Sequence, residues 1–248
     1  MPRFNLMCAV AAAAIMLSTL SLPLRAEEPS CCTDKGGGTS GPSERKLEDL
    51  KGRVSFFNVP LVCPAAPQIA CGGKAKPILL EFEKQKGVEE AWLNHAGTIL
   101  ALVWAKDLGE DKRAGILKSV GDQKKLPMEE LKGDPAKDAL NSFREVKDWH
   151  RGAQMDRLTQ EEIGAIAERI VRRVAAKVEI TPETAKALRS DLEGLGKRLF
   201  LLSRADSESG GVGDDPLAEI ARRRLPENSQ GVLREAVEQG YMPRSGEK

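Results

Sequence analysis

The sequence predicts an α+β fold: a strand, helix, strand, strand, helix, strand module followed by a helical hairpin and short C-terminal helices. Three observations carry that expectation. Between residues 51 and 133, short apolar runs rich in Val, Phe and Leu alternate with stretches of helical period, and Gly-containing turns separate them. From residue 159 to 202, Ile, Val and Leu recur three or four apart in two successive segments. Ahead of both, residues 6–24 form one apolar run rich in Ala, Leu, Ile and Met, with no partner pattern beside it.

That first run has the features of an address. Arg3 precedes it, Pro23 interrupts its end, and Leu24-Arg25-Ala26 offers a small residue before Glu27-Glu28. Residues 1–26 therefore read as a secretory signal peptide cleaved after Ala26, which sends the chain to the periplasm or outside the cell. The run is near the lower limit for a spanning helix, so no membrane insertion of the mature chain is expected. Residues 27–50 read as a flexible linker and a short helix. Cys31 and Cys32, Gly36 to Gly38 and Ser40-Gly41-Pro42-Ser43 have no apolar period, and Ser43 can cap a helix carrying Leu47 and Leu50.

The module over 51–133 opens with a strand at 54–59, rich in β-branched and aromatic residues. A loop with Cys63, Pro64, Pro67 and Cys71 follows. Gly72-Gly73 leads into a helix near 76–86, where Pro77 fits the first turn and Gly87 ends the helix. Residues 88–93 and 98–104 read as strands around the turn Asn94-His95-Ala96-Gly97. A helix over 111–120 and a weak strand in 125–131 complete an order that suits a ferredoxin-like split sandwich.

Composition excludes several classes of function. With 38 Lys and Arg against 37 Asp and Glu, the net charge is +1. Residues 1–26 hold only Arg3 and Arg25 among charged side chains, so the exported chain stays near neutral. Neither nucleic-acid binding nor a polybasic membrane surface is expected. Aromatics at 4% argue against an aromatic-lined carbohydrate groove. No nucleophile elbow or zinc-hydrolase helix occurs, and the glycines at 36–38 and 210–213 lack the strand and helix that frame a phosphate loop. The expectation is a protein that is not an enzyme.

Cysteine chemistry is the strongest remaining signal. Thiolates select soft metals, and Cys71 lies near a helix start beside Lys74 and Lys76, which favour its ionised form. Cys63 and Cys71 therefore read as a metal clamp. Two alternatives stand beside it. One is a structural disulfide worth about 2 to 3 kcal/mol, in an envelope interaction protein that binds no metal. The other is a redox pair. Cys31-Cys32 is a weaker candidate for soft-cation capture. His95, in the hairpin turn, is expected to lie away from the cysteine loop, and His150 has no second histidine at ligand spacing.

The segment VPLVCPAAPQIACGGKAKPILLEFEKQKGVEEAWLNHAGTILALVW resembles the heavy-metal-associated domain family, and the resemblance extends over residues 53–133. That family includes periplasmic mercury-binding proteins and copper chaperones. The resemblance implies a ferredoxin-like fold and a bound soft cation, copper or mercury, held by two cysteines with two residues between them. Cys71 matches the second of these ligands, and Cys63 stands where the first is sought. Here seven residues, Pro64 to Ala70, separate them.

Residues 134–205 read as helical. Thr159-Gln160-Glu161-Glu162 has the form of a capping box, and Ile163, Ile166, Ile170, Val174 and Val178 share one face of the helix that follows. Arg169, Arg172, Arg173 and Lys177 read as its solvated side. Thr181-Pro182 starts a second helix with Ala185, Leu188, Leu192, Leu195, Leu199 and Leu202 in line, so the two form a hairpin that packs within the chain. Residues 206–248 read as a linker through 214, a helix capped by Asp215 and reaching Leu225, another through Val232 and Ala236, and a frayed end from Met242.

Overall fold

The computed structural model describes residues 50, 52–145, 147–202 and 215–247. The segments read from the sequence as a signal peptide, as a linker with Cys31 and Cys32, as most of a short helix ahead of residue 51, and as a linker over 206–214 lie outside the described residues. The strands are β1 (Val54–Asn58), β2 (Val62–Cys63), β3 (Ala66–Ala70), β4 (Val88–Asn94), β5 (Ile99–Trp104), β6 (Glu129–Glu130) and β7 (Trp149–Arg151). The helices are α1 (Gly72–Glu83), α2 (Glu110–Lys124), α3 (Asp134–Glu145), α4 (Met155–Ala175), α5 (Pro182–Lys197), α6 (Pro216–Arg224) and α7 (Gln230–Glu238). No helix among the described residues is long and apolar enough to cross a membrane.

The result is an α+β fold around a five-stranded antiparallel sheet of order β6-β1-β5-β4-β7, with β2 and β3 paired separately. The nearly continuous apolar character of β5 follows from burial on both faces. Leu100, Leu102 and Trp104 pack with Phe57 and with Leu79 and Phe82 of α1 and Val120 of α2. Ala101 and Val103 point the other way, to Phe56, Trp92, Trp149 and, on α3, Phe143. There Phe143 meets Phe56, Trp92 and Trp149 edge-on at 5.9, 5.8 and 5.0 Å between ring centroids. Such pairs add about 0.5 to 1.5 kcal/mol each beyond the area they bury.

Three elements start or lie where local pattern does not put them. Helix α1 begins at Gly72 and ends at Glu83, so Pro77 falls inside the helix and not in its first turn. The low helix propensity of Gly72-Gly73 hides this start, which packing against α4 supplies. Helix α4 begins at Met155 rather than at Thr159. The Thr159 hydroxyl donates to the Met155 carbonyl at 3.3 Å, one turn back, so the capping box is not formed. Strand β7, only three residues long, pairs with β4 through Trp92↔Arg151 to Asn94↔Trp149 and extends the sheet beyond residue 133.

Helix α4 spans two cores. Its first turn puts Met155 and Leu158 into the core under the sheet. Its later turns put Ile170 and Val174 against Leu188 and Leu192 of α5, Ile220 of α6 and Leu233 of α7. The hairpin thus packs within the chain, with Thr181 accepting from the Thr184 N–H at 3.2 Å and Asp215 accepting from the Leu217 N–H at 3.0 Å as helix caps.

The arginine face of α4 is not solvated throughout. Arg169 is 5% and Arg173 6% exposed. Arg173 binds Glu247 through Nε and Nη2, both at 2.8 Å, and donates to the carbonyls of Ala236, Gly240 and Met242. Arg169 donates to the Tyr241 carbonyl at 2.6 Å. The C-terminal segment through Glu247 is therefore anchored and not frayed, because its carbonyls and Glu247 satisfy the buried Arg173 guanidinium and take one bond from Arg169, whose Nε stays buried without a partner among the described residues.

Candidate metal centre

The seven-residue spacer between the cysteines folds back on itself. Strands β2 and β3 pair antiparallel with Val62 opposite Ala70 and a bulge between Val62 and Cys63, and the Cys71 N–H donates to the Leu61 carbonyl at 2.8 Å. The chain thus leaves Cys63, turns at Pro64 and returns alongside itself to Cys71. The hairpin is fastened to the sheet by the Ala70 N–H donating to the His95 carbonyl at 2.7 Å and the Leu61 N–H to the Gly97 carbonyl at 3.0 Å. Gly97 makes this approach possible. Its φ is +76°, and a Cβ there would lie 2.6 Å from the Leu61 oxygen.

Cys71 is the N-cap residue of α1, and its carbonyl accepts from the Lys74 and Ala75 N–H groups at 3.1 and 2.9 Å. The next residue, Gly72, lies so close to α4 that a Cβ would sit 2.6 Å from the Met155 carbonyl and 2.9 Å from the Thr159 nitrogen. A hydrogen-bonded ion pair between Lys76 and Asp156 ties the same two helices. This contact brings Glu162, on α4, over the cysteine hairpin. The Cys63 thiol donates to Glu162 Oε1 at 2.9 Å, and one ligand atom each from Cys63, Cys71 and Glu162 lie within 4.8 Å of one another. Among the described residues this is the one group of three His, Cys, Asp or Glu side chains close enough to hold a metal ion.

The two thiols differ in environment. Cys63 is 1% exposed, whereas Cys71 and Glu162 are half-buried. Hydrogen bonding from Cys63 brings the Cys71 pKa down to about 6 against the opposing effect of burial, and the Lys74 backbone N–H and ammonium help. The same interaction pushes the Cys63 thiol up, and burial and the Glu162 carboxylate push it further. Near neutral pH the site therefore holds a thiolate at Cys71 and a proton on Cys63, with a carboxylate at hydrogen-bonding distance. Cys63 and Cys71 are both free thiols, so the structural disulfide considered from the sequence is not formed.

The histidines are nearer the site than the hairpin position suggests. His95 is not remote from the cysteine loop, since its carbonyl holds the Ala70 N–H next to Cys71, and its Nε2 lies 2.9 Å from Glu161 Oε2. The reason is the β2–β3 hairpin, which doubles back onto the β4–β5 turn. His150 on β7 is 6% exposed, its ring centroid 5.7 Å from that of His95, and its Nε2 is buried without a partner. Burial, and then the charge of His95, lower its pKa. Neither histidine belongs to the three-residue group. Glu162 does, and local pattern conceals it: it stands 99 residues from Cys63 and matches the last position of a capping box.

The functional assignment accordingly rests on this geometry. The chain matches no family model, no curated protein and no solved structure.

Proposed function

We propose that this chain is an exported, non-enzymatic protein that binds a soft or borderline cation through the Cys63 and Cys71 thiolates. The observation that carries the reading is the approach of the two sulfurs to within 4.8 Å across a seven-residue spacer. With metal–sulfur bonds of about 2.3 Å, a single ion spans sulfurs up to about 4.6 Å apart, so sulfurs within 4.8 Å of one another need shift by no more than a few tenths of an ångström to clamp one. Cys71 already favours the thiolate that a metal requires, and loss of the Cys63 proton on binding completes the pair. Copper and mercury are the cations that the heavy-metal-associated resemblance suggests.

The sheet order supports a ferredoxin-like module beneath this site. Counting β1, β4, β5 and β6 as first to fourth gives the order fourth, first, third, second, with α1 and α2 contributing to the core on one face. Strand β7 and helix α3 are additions to that module. The leader-like residues 1–26 support export, and a partner protein of the envelope would be the donor or acceptor of the ion.

The test is an anaerobic titration of reduced full-length protein with Cu(I), Hg(II) and Zn(II), each alone, beside a Cys71→Ser variant. One ion per chain, lost in the variant, is the expected outcome. Absence of stoichiometric binding, or a variant that binds as well as its parent, ends the proposal.

A further inference from the structure

We infer that Glu162 is the third ligand of this centre and that the site therefore selects a divalent cation of the Zn(II) class over Cu(I). The inference rests on the thiolate reading above and names the ion more closely. Glu162 Oε1 lies 2.9 Å from the Cys63 sulfur and is part of the group whose ligand atoms fall within 4.8 Å. A carboxylate oxygen is an ordinary Zn(II) ligand and a poor one for Cu(I), which prefers sulfur. Charge points the same way. Two thiolates and a carboxylate leave one excess negative charge around a divalent ion and two around a monovalent one, a heavier burden in a half-buried site.

The carboxylate is also held for this use. Helix α4 is fixed beside α1 by the close approach at Gly72 and by Lys76 and Asp156. The adjacent Glu161 is engaged elsewhere, by His95 at 2.9 Å and Arg157 at 3.2 Å. Neighbouring carboxylates on one helix thus have separate tasks, and only Glu162 faces the sulfurs. Three protein ligands leave one position of a tetrahedral ion for an exchangeable ligand. That position opens on the half-exposed side, at Cys71 and Glu162, while Cys63 closes the buried side. Such a centre suits an ion that is passed on.

The experiment is chelator competition on the reduced full chain, with Zn(II) alone and Cu(I) alone, for the parent, Glu162→Gln and Glu161→Gln. Loss of the third ligand should weaken Zn(II) at least about tenfold and leave Cu(I) within about twofold. Glu161→Gln should change neither. X-ray absorption of the Zn(II)-loaded parent gives a readout that needs no variant, with two sulfurs and a light-atom shell expected. Unchanged Zn(II) affinity in Glu162→Gln, equal weakening of both ions, or an all-sulfur shell would each overturn the inference. Cu(I) binding without Zn(II) binding overturns the third ligand alone, whereas failure of both ions to bind removes the thiolate reading itself.

Discussion

Helix α4 carries two polar clusters, one near each end, and they differ in how fully their hydrogen-bonding capacity is used. Toward its C-terminus, Arg173 presents five N–H groups and makes five hydrogen bonds, two of them to Glu247. Toward its N-terminus, Glu162 receives one thiol, and Cys63 has both Cys71 and Glu162 within reach of its single proton. Arg173 is saturated, and its effect is to fasten the C-terminal segment to the helix. The second cluster keeps unused lone pairs on two sulfurs and a carboxylate in a half-buried place, which is the condition for accepting a cation. Taking charged groups out of full solvent thus yields an anchor in one case and a candidate site in the other. The complement of partners decides which.

That contrast can be broken at either end. The largest effect is expected from Arg173→Ala, which strips the partner from Glu247 and three carbonyls. Urea denaturation should show a loss of about 3 to 5 kcal/mol, with the alkylation rate of Cys71 in the folded protein unchanged. A stability loss below about 1 kcal/mol would show that the guanidinium is not an anchor. Next comes Gly72→Ala, whose new Cβ meets the Met155 carbonyl and Thr159. It should cost about 1 to 3 kcal/mol and weaken metal binding by drawing Cys71 away from Glu162, so a fully stable variant with parental affinity would refute the role of that contact.

Two pH experiments sharpen the comparison further. The Cys71 pKa is depressed from 9.0 to about 6 in the folded state. Its contribution to stability is therefore complete above pH 9 and disappears as pH falls through 6. Iodoacetamide should modify Cys71 with a midpoint near pH 6 while Cys63 stays unreactive at neutral pH, and equal reactivity of the two would contradict the asymmetry. The smallest effect is at Glu247, which its bonds to Arg173 and then the Arg244 N–H hold at about 2. Its contribution is present above its ordinary value of 4.5 and is lost as pH falls toward 2. Hydrogen exchange at 241–247 should accelerate across that range, and flat exchange would count against the anchor.

Much of the framework was legible because its signals are local. The apolar runs of β1, β4 and β5, the turn at Gly97, and the caps Thr181 and Asp215 each depend on residues a few positions apart. Cys63 and Cys71 could be singled out because thiols are chemically distinctive wherever they fall. Strand β7 gave no signal, since three residues are too few to show a period and its pairing partner β4 is far away in sequence. The Thr159 motif gave a misleading one. A capping-box pattern is sound chemistry at a free helix end, but packing of Met155 and Leu158 in the sheet core extends the helix one turn earlier.

By itself, then, the sequence determined the α+β class, most strands and helices, and the residue types able to bind a soft ion, because propensity, periodicity and donor chemistry are properties of short segments. Only the tertiary structure decided that the spacer is a hairpin, that Glu162 joins the thiols, that the His95 backbone lies against the cysteine hairpin, and that Arg169 and Arg173 are inside. These depend on contacts across tens of residues. Their free energy comes from burying apolar faces together, and that burial fixes which polar groups meet.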